Sequence, residues 1–170
     1  MNKKGVIILG SSRNNGNTNK VVSFVKDKTG FDVIDLSLKN INPFDYNFRH
    51  KDDDFIPLMN KIVSNYNTII FATPVYWYAM SATLKMFFDR ITDCLIIEKE
   101  IGRKLRGKEM GMISCGSDSE LKKGFKMPFV ESANYLGMNY IGDVHTWIED
   151  DCIPDSLKKE LTIFSEKIID

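Results

Sequence analysis

Two periodicities alternate along this chain. Short, strand-like apolar runs recur at GVIILG (5–10), FDVIDLS (31–37), NTIIFAT (67–73), KEMGMIS (108–114) and MNYIGDVHTW (138–147). The first and third are continuously apolar, as expected of strands buried on both faces. Helical stripes lie between them. Val21, Phe24, Val25 and Lys28 form one, closed by Gly30. Phe55, Leu58, Met59, Ile62 and Val63 form the clearest, behind Asp52, Asp53 and Asp54, whose charge suits a helix N-terminus. Met80, Leu84, Phe87, Ile91 and Leu95 form a third. Pro128, Phe129, Ala133 and Leu136 lead to a stop at Gly137, and Leu157, Leu161, Phe164 and Ile168 follow Pro154. Strict strand–helix alternation predicts an α/β architecture: a five-stranded parallel sheet of order 2-1-3-4-5 with helices on both faces, one domain over residues 1–170.

Composition narrows the partners. Hydrophobic residues are 43% and charged residues 27% of the 170, with 23 basic and 23 acidic side chains. A formal net charge of zero gives no reason to expect nucleic acid or an anionic membrane as partner. It also speaks against an acidic electron carrier that docks by charge. No run approaches the roughly 18 apolar residues of a membrane span. The segment MNKKGVIILGSS is too short in its apolar part for a signal peptide and reads as a strand. Cys94, Cys115 and Cys152 are scattered and odd in number, which predicts thiols in a reducing, cytoplasmic setting.

Three connections carry the candidate chemistry. Directly behind the first strand the chain reads GSSRNNGNTNK. In a parallel sheet that is the ligand edge. Glycines let backbone N–H groups converge, Ser11, Ser12 and Thr18 add hydroxyls, Asn17 and Asn19 add amides, Arg13 adds charge, and a helix begins. The combination predicts a phosphate cradle. The Walker pattern fails because five residues separate Gly10 from Gly16 and no Lys-Ser/Thr follows; GxGxxG is absent too. Donors of this kind suit a phosphate monoester such as that of FMN; the alternative is a polar loop that binds nothing. After the third strand comes PVYWY, where three aromatics in a strand-end loop suit a flat conjugated ring, or else pack on the protein or a second subunit. After the fourth comes SCGSDSE, with Ser114, Gly116 and Ser117 at the same edge and Cys115 expected as a small buried residue. Strands one, three and four are neighbours in the predicted order, so one ligand spans all three loops.

The motifs GSSRNNGNT, TPVYWYAMSATLKMFFDR and YLGMNYIG resemble the NADPH-dependent FMN reductase family of flavodoxin-like proteins. That family includes iron–sulfur flavoproteins and small quinone, azo-dye and chromate reductases. The resemblance covers most of residues 5–142. It implies a flavodoxin-like three-layer sandwich, FMN as cofactor, hydride uptake from NAD(P)H, a small acceptor of the flavin, quinone, azo or nitro type, and a homodimer or tetramer. By matching position it implies that Ser11, Arg13, Asn17, Thr18 and Asn19 hold the phosphate. Pro74, Val75, Tyr76 and Trp77 would hold ring and ribityl chain, and Ser114, Gly116 and Ser117 the pyrimidine side. One departure is clear. The connection INPFDYNFRHKDDDF has no cysteine where the iron–sulfur members carry a cluster, and three scattered thiols cannot supply four ligands, so no cluster is expected.

A flavin passing electrons by ping-pong needs no protein acid or base, so no catalytic residue and no metal site is named. The alternatives are a flavodoxin-type electron carrier and a regulatory flavin-binding protein. Smaller expectations are a Lys85–Asp89 pair, an Arg90 that ion-pairs or meets a partner, and a solvated His50. His145 is expected in the core, at an edge or at an interface. The Lys122, Lys123 and Lys126 run is expected to be a solvated face. At the start of the third helix Trp77, Tyr78 and Met86 are expected to stay wet in a monomer, which predicts a dimer contact there; the alternative is that residues 38–54 fold over this surface.

Overall fold

The computed structural model describes residues 4–13 and 15–170; Asn14, inside the first glycine-loop motif, lies outside them. The strands are β1 (Gly5–Leu9), β2 (Asp32–Asp35), β3 (Thr68–Pro74), β4 (Glu109–Cys115) and β5 (Asn139–Thr146). All pair in parallel in the order β2-β1-β3-β4-β5. The helices are α1 (Asn17–Thr29), α2 (Phe55–Asn65), α3 (Ala82–Ile96), α4 (Lys99–Arg103), α5 (Met127–Leu136) and α6 (Asp155–Ile169). The expected three-layer, flavodoxin-like architecture is present.

Side chains of the central strands alternate between two cores, as a pleat of period two requires. Val6, Ile8, Ile69, Phe71, Met110 and Met112 meet the α2, α3 and α5 side. Ile7, Leu9, Ile70, Ala72, Ile113 and Val144 meet α1 and α6. At roughly 25 cal/mol per Å² of apolar surface, these two buried faces are the main force holding the layers. Gly30 and Gly137 end α1 and α5 in left-handed geometry, as the pattern predicts.

Some expectations shift. The second strand stops at Asp35, whose carboxylate accepts from the Ser37 N–H at 2.8 Å and turns the chain into a short 3-10 segment, Leu36–Leu38. Met80 is buried but precedes α3; Ser81 caps the helix by accepting from the Leu84 N–H at 3.1 Å. Met86 is half-buried against the larger core rather than wet. The short α4 is too brief to show a stripe.

Arg90 organises the connection before α2. Its guanidinium, 1% exposed, donates to both Asp53 oxygens (2.6 and 3.2 Å), Asp93 (2.9 Å), the Asn42 carbonyl (2.9 Å) and the His50 carbonyl (3.0 Å). It also lies over the Phe55 ring, 4.9 Å from the centroid. Residues 40–54 are thereby strapped onto α3 from within the chain, but they leave Trp77 and Tyr78 exposed, so they do not cover the surface at the start of α3. Burial raises the Asp53 pKa, but Arg90 and the N–H groups of Asn42 and Phe55 outweigh it and hold the carboxyl below its ordinary range.

Candidate functional site

The three loops meet at the carboxyl edge of the sheet because backbone bonds stitch them together. The Gly10 N–H donates to the Ala72 carbonyl, Val75 to Cys115 and Gly116 to Thr146, each at 2.8 Å. The Ser81 hydroxyl donates to the Gly10 carbonyl, while the Ser81 N–H donates to the Thr73 hydroxyl at 3.0 Å. The start of α3 is thus fixed to the ends of β1 and β3.

In the first loop Ser11 is buried, and its hydroxyl accepts from the Arg13 N–H and donates to the Arg13 carbonyl, both at 3.2 Å. Ser12 and Arg13 are exposed. The N–H groups of Ser12, Asn15, Asn17 and Thr18 donate to no described residue. Helix-start N–H groups without a partner among the described residues are the kind of donor an anion can take. Asn17 is exposed and Asn19 half-buried on that turn. Thr18 is buried. Burial pushes the pKa of the Cys115 thiol up, although the Thr146 and Thr18 side chains pull it the other way.

The second loop holds the strongest local signal. Pro74 is buried as the last residue of β3, and Val75 is half-buried. Tyr76 and Ala79 then exchange two backbone bonds of 3.0 Å, closing a tight turn. The two residues inside it, Trp77 and Tyr78, have φ of +48° and +64°. This primed turn normally takes Asn or Gly, because a Cβ is strained there. Here two large rings occupy it, 92% and 65% exposed. Exposed apolar rings on a strained backbone gain nothing for the fold, and such strain clusters at ligand sites.

The third loop faces the second across a cleft of about 340 Å³ lined by Val75, Tyr78, Gly116, Asp118, Lys122 and His145. Ser114 is buried and bonds His145, Gly116 is half-buried, and Ser117 is exposed with its hydroxyl on Asp118 at 3.1 Å. The Glu120 N–H and the Ser117 hydroxyl hold the Asp118 carboxyl below its usual range. Lys122 pairs with Glu120 at 2.5 Å and Lys126 with Asp143 at 2.6 Å, so two cations of the lysine run are already engaged. A larger groove of about 670 Å³ runs along α3 and α5, lined by Phe88, Ile91, Leu95 and Tyr135.

The end of β5 also contributes. His145 and Trp147 bring their rings 6.5 Å apart, and the Trp147 indole N–H donates to Glu149 at 2.6 Å. Glu149 and Cys152 close a second two-residue turn around Asp150 and Asp151, with bonds of 3.0 and 2.8 Å. Asp151 accepts from the Lys20 ammonium, on the first turn of α1. The sequence offered no signal for this fourth contribution beyond an isolated histidine.

A helix start, an aromatic turn and a donor-lined cleft meet on one edge of a 2-1-3-4-5 sheet, the arrangement of a flavodoxin-like protein. Residues 4–151 match the model of the NADPH-dependent FMN reductase family, and the chain belongs to that family. It is 30% identical over 153 residues to Bacillus subtilis YwqN, named as an NAD(P)H-dependent FMN-containing oxidoreductase, with 83% of each chain covered. Among solved structures it resembles the Trp repressor binding protein of Bacillus subtilis (TM-score 0.70, 22% identity, 98% of each chain). It also resembles an FMN-dependent NADH-azoreductase of Bacillus anthracis in complex with FMN (TM-score 0.69, 12% identity, 99% of this chain and 100% of that one). The chain is therefore an oxidoreductase of a family defined by FMN and a reduced nicotinamide. Among the described residues, no helix is long and apolar enough to cross a membrane.

Proposed function

We propose that this chain binds FMN across the three loops and uses NAD(P)H to reduce a small acceptor of the flavin, quinone, azo or nitro type. When bound, FMN supplies the redox chemistry, accepting two electrons from the nicotinamide and releasing them to the acceptor. The protein binds, orients and shields. Ser11, Arg13, Asn17, Thr18 and Asn19 form the phosphate end, with Ser11 shaping the loop through its bonds to Arg13. Pro74, Val75, Tyr76 and Trp77 take the ring and ribityl chain, and the Ser114–Ser117 segment takes the pyrimidine side. The aromatic turn carries this reading, because its strain and exposure have no other use within one chain. No side chain needs to act as acid or base, and none is named.

Mixing protein, FMN and NADPH without air tests the function: the flavin absorbance bleaches at a catalytic rate. Absence of both FMN binding and bleaching contradicts it. Arg13→Ala tests the phosphate end. It should weaken FMN by about 1.5–3 kcal/mol and leave riboflavin, which lacks the phosphate, unchanged. The exposure of Trp77 and Tyr78 also supports a homodimer with the aromatic turn at its contact. A mass near 19.5 kDa by light scattering with FMN bound would contradict that. Three unpaired thiols support a reducing, cytoplasmic setting.

A further inference from the structure

The geometry points to His145 as a positioning residue for the ring end of this site, holding the Gly116–Asp118 segment in place. The inference rests on the FMN reading and adds to it a residue outside the three loops. His145 Nε2 lies 3.1 Å from the Asp118 carbonyl oxygen, and Nδ1 lies 2.8 Å from the Ser114 hydroxyl. A carbonyl only accepts, so in neutral imidazole Nε2 carries the proton and Nδ1 accepts from Ser114. The Ser114 hydroxyl, fully buried, thus donates to His145 and supports the loop from inside. The ring passes so close to the chain that a Cβ on residue 116 would lie 2.9 Å from His145 Cε1; only glycine leaves room.

The placement is built into the sheet. β4 and β5 pair Met110 with Tyr140 but Gly111 with Gly142, so Ile141 is an extra residue. Gly142, at φ +121°, makes the bulge. Beyond it every β5 side chain is shifted by one position, which sets His145 rather than Val144 opposite Ser114. Bulges of this kind re-aim side chains beside sites.

The test measures the binding of oxidised FMN and oxidised riboflavin to the parent, His145→Ala and His145→Gln. His145→Ala should weaken both ligands by the same factor, about tenfold, because the loss is at the ring end. His145→Gln, which restores a donor toward the Asp118 carbonyl, should recover most of the oxidised-state affinity. Parent that binds flavin while His145→Ala binds it as tightly overturns this inference alone, as does a His145→Gln that binds no better than His145→Ala. Parent that binds no flavin overturns the cofactor reading and this inference with it.

Discussion

Two turns at the same edge of the sheet share one backbone and differ in everything else. Tyr76–Ala79 and Glu149–Cys152 are both closed by a pair of backbone bonds around two residues of positive φ. In the second turn those residues are Asp150 and Asp151, which tolerate the left-handed region because a short polar side chain can bond locally. In the first they are Trp77 and Tyr78, which do not. The mounts differ as well. The aromatic turn is fixed through Ser81 and Thr73 to Gly10, all within the protein, whereas the acidic turn leans on Lys20 through an exposed ion pair. A strained conformation held on a rigid mount and decorated with wet rings is what the proposed flavin site asks for; an unstrained one on a loose mount serves as a connection.

The comparison can be broken from the helix upward. Arg90 lies in α3, the helix that springs from the aromatic turn. Arg90→Ala would strand Asp53 and Asp93 in the interior and should cost about 3–5 kcal/mol in denaturant unfolding. Acid probes the same clamp. Asp53 titrates lower folded than unfolded, so its contribution is fully present above about pH 4 and is lost as pH falls through the folded value. A pH series should show stability falling there, and less steeply in Asp53→Asn. Ser81→Ala removes a helix cap and the link to Gly10. It should cost about 1–3 kcal/mol and weaken FMN, since the aromatic turn loses its mount. Asp151→Ala should change stability by less than about 1 kcal/mol, and the small effect should vanish in high salt.

The fold was legible because apolar runs and stripes alternate strictly from Gly5 to Ile168, which leaves few topologies to consider. The three loops were legible because strand order alone brings them together. Hidden were features that depend on register or backbone sign. The bulge at Gly142 sets His145 against Ser114, and one extra residue in a ten-residue apolar stretch leaves no periodic trace. The positive φ of Trp77 and Tyr78 could not be read from residues that ordinarily avoid it. Arg90 was legible as a residue that ion-pairs, but its partners were not, because Asp53 and the carbonyls of Asn42 and His50 lie some 40 residues away in the chain. Met86 was misread as wet because a helical wheel sees one helix and not the neighbours that cover it.

The most direct measurement replaces the paired positions with glycine and follows two quantities in each protein: stability without ligand, and FMN affinity. Glycine at residues 77 and 78 relieves the left-handed strain, so ligand-free stability should rise by about 1 kcal/mol after glycine's own entropic cost. FMN affinity should fall tenfold or more with the loss of both rings, about 1.4 kcal/mol per factor of ten. Glycine at residues 150 and 151 should move neither quantity appreciably. Opposite signs in the first turn and silence in the second are what the account predicts. Unchanged FMN affinity after loss of Trp77 and Tyr78, or equal effects from the two turns, would contradict it.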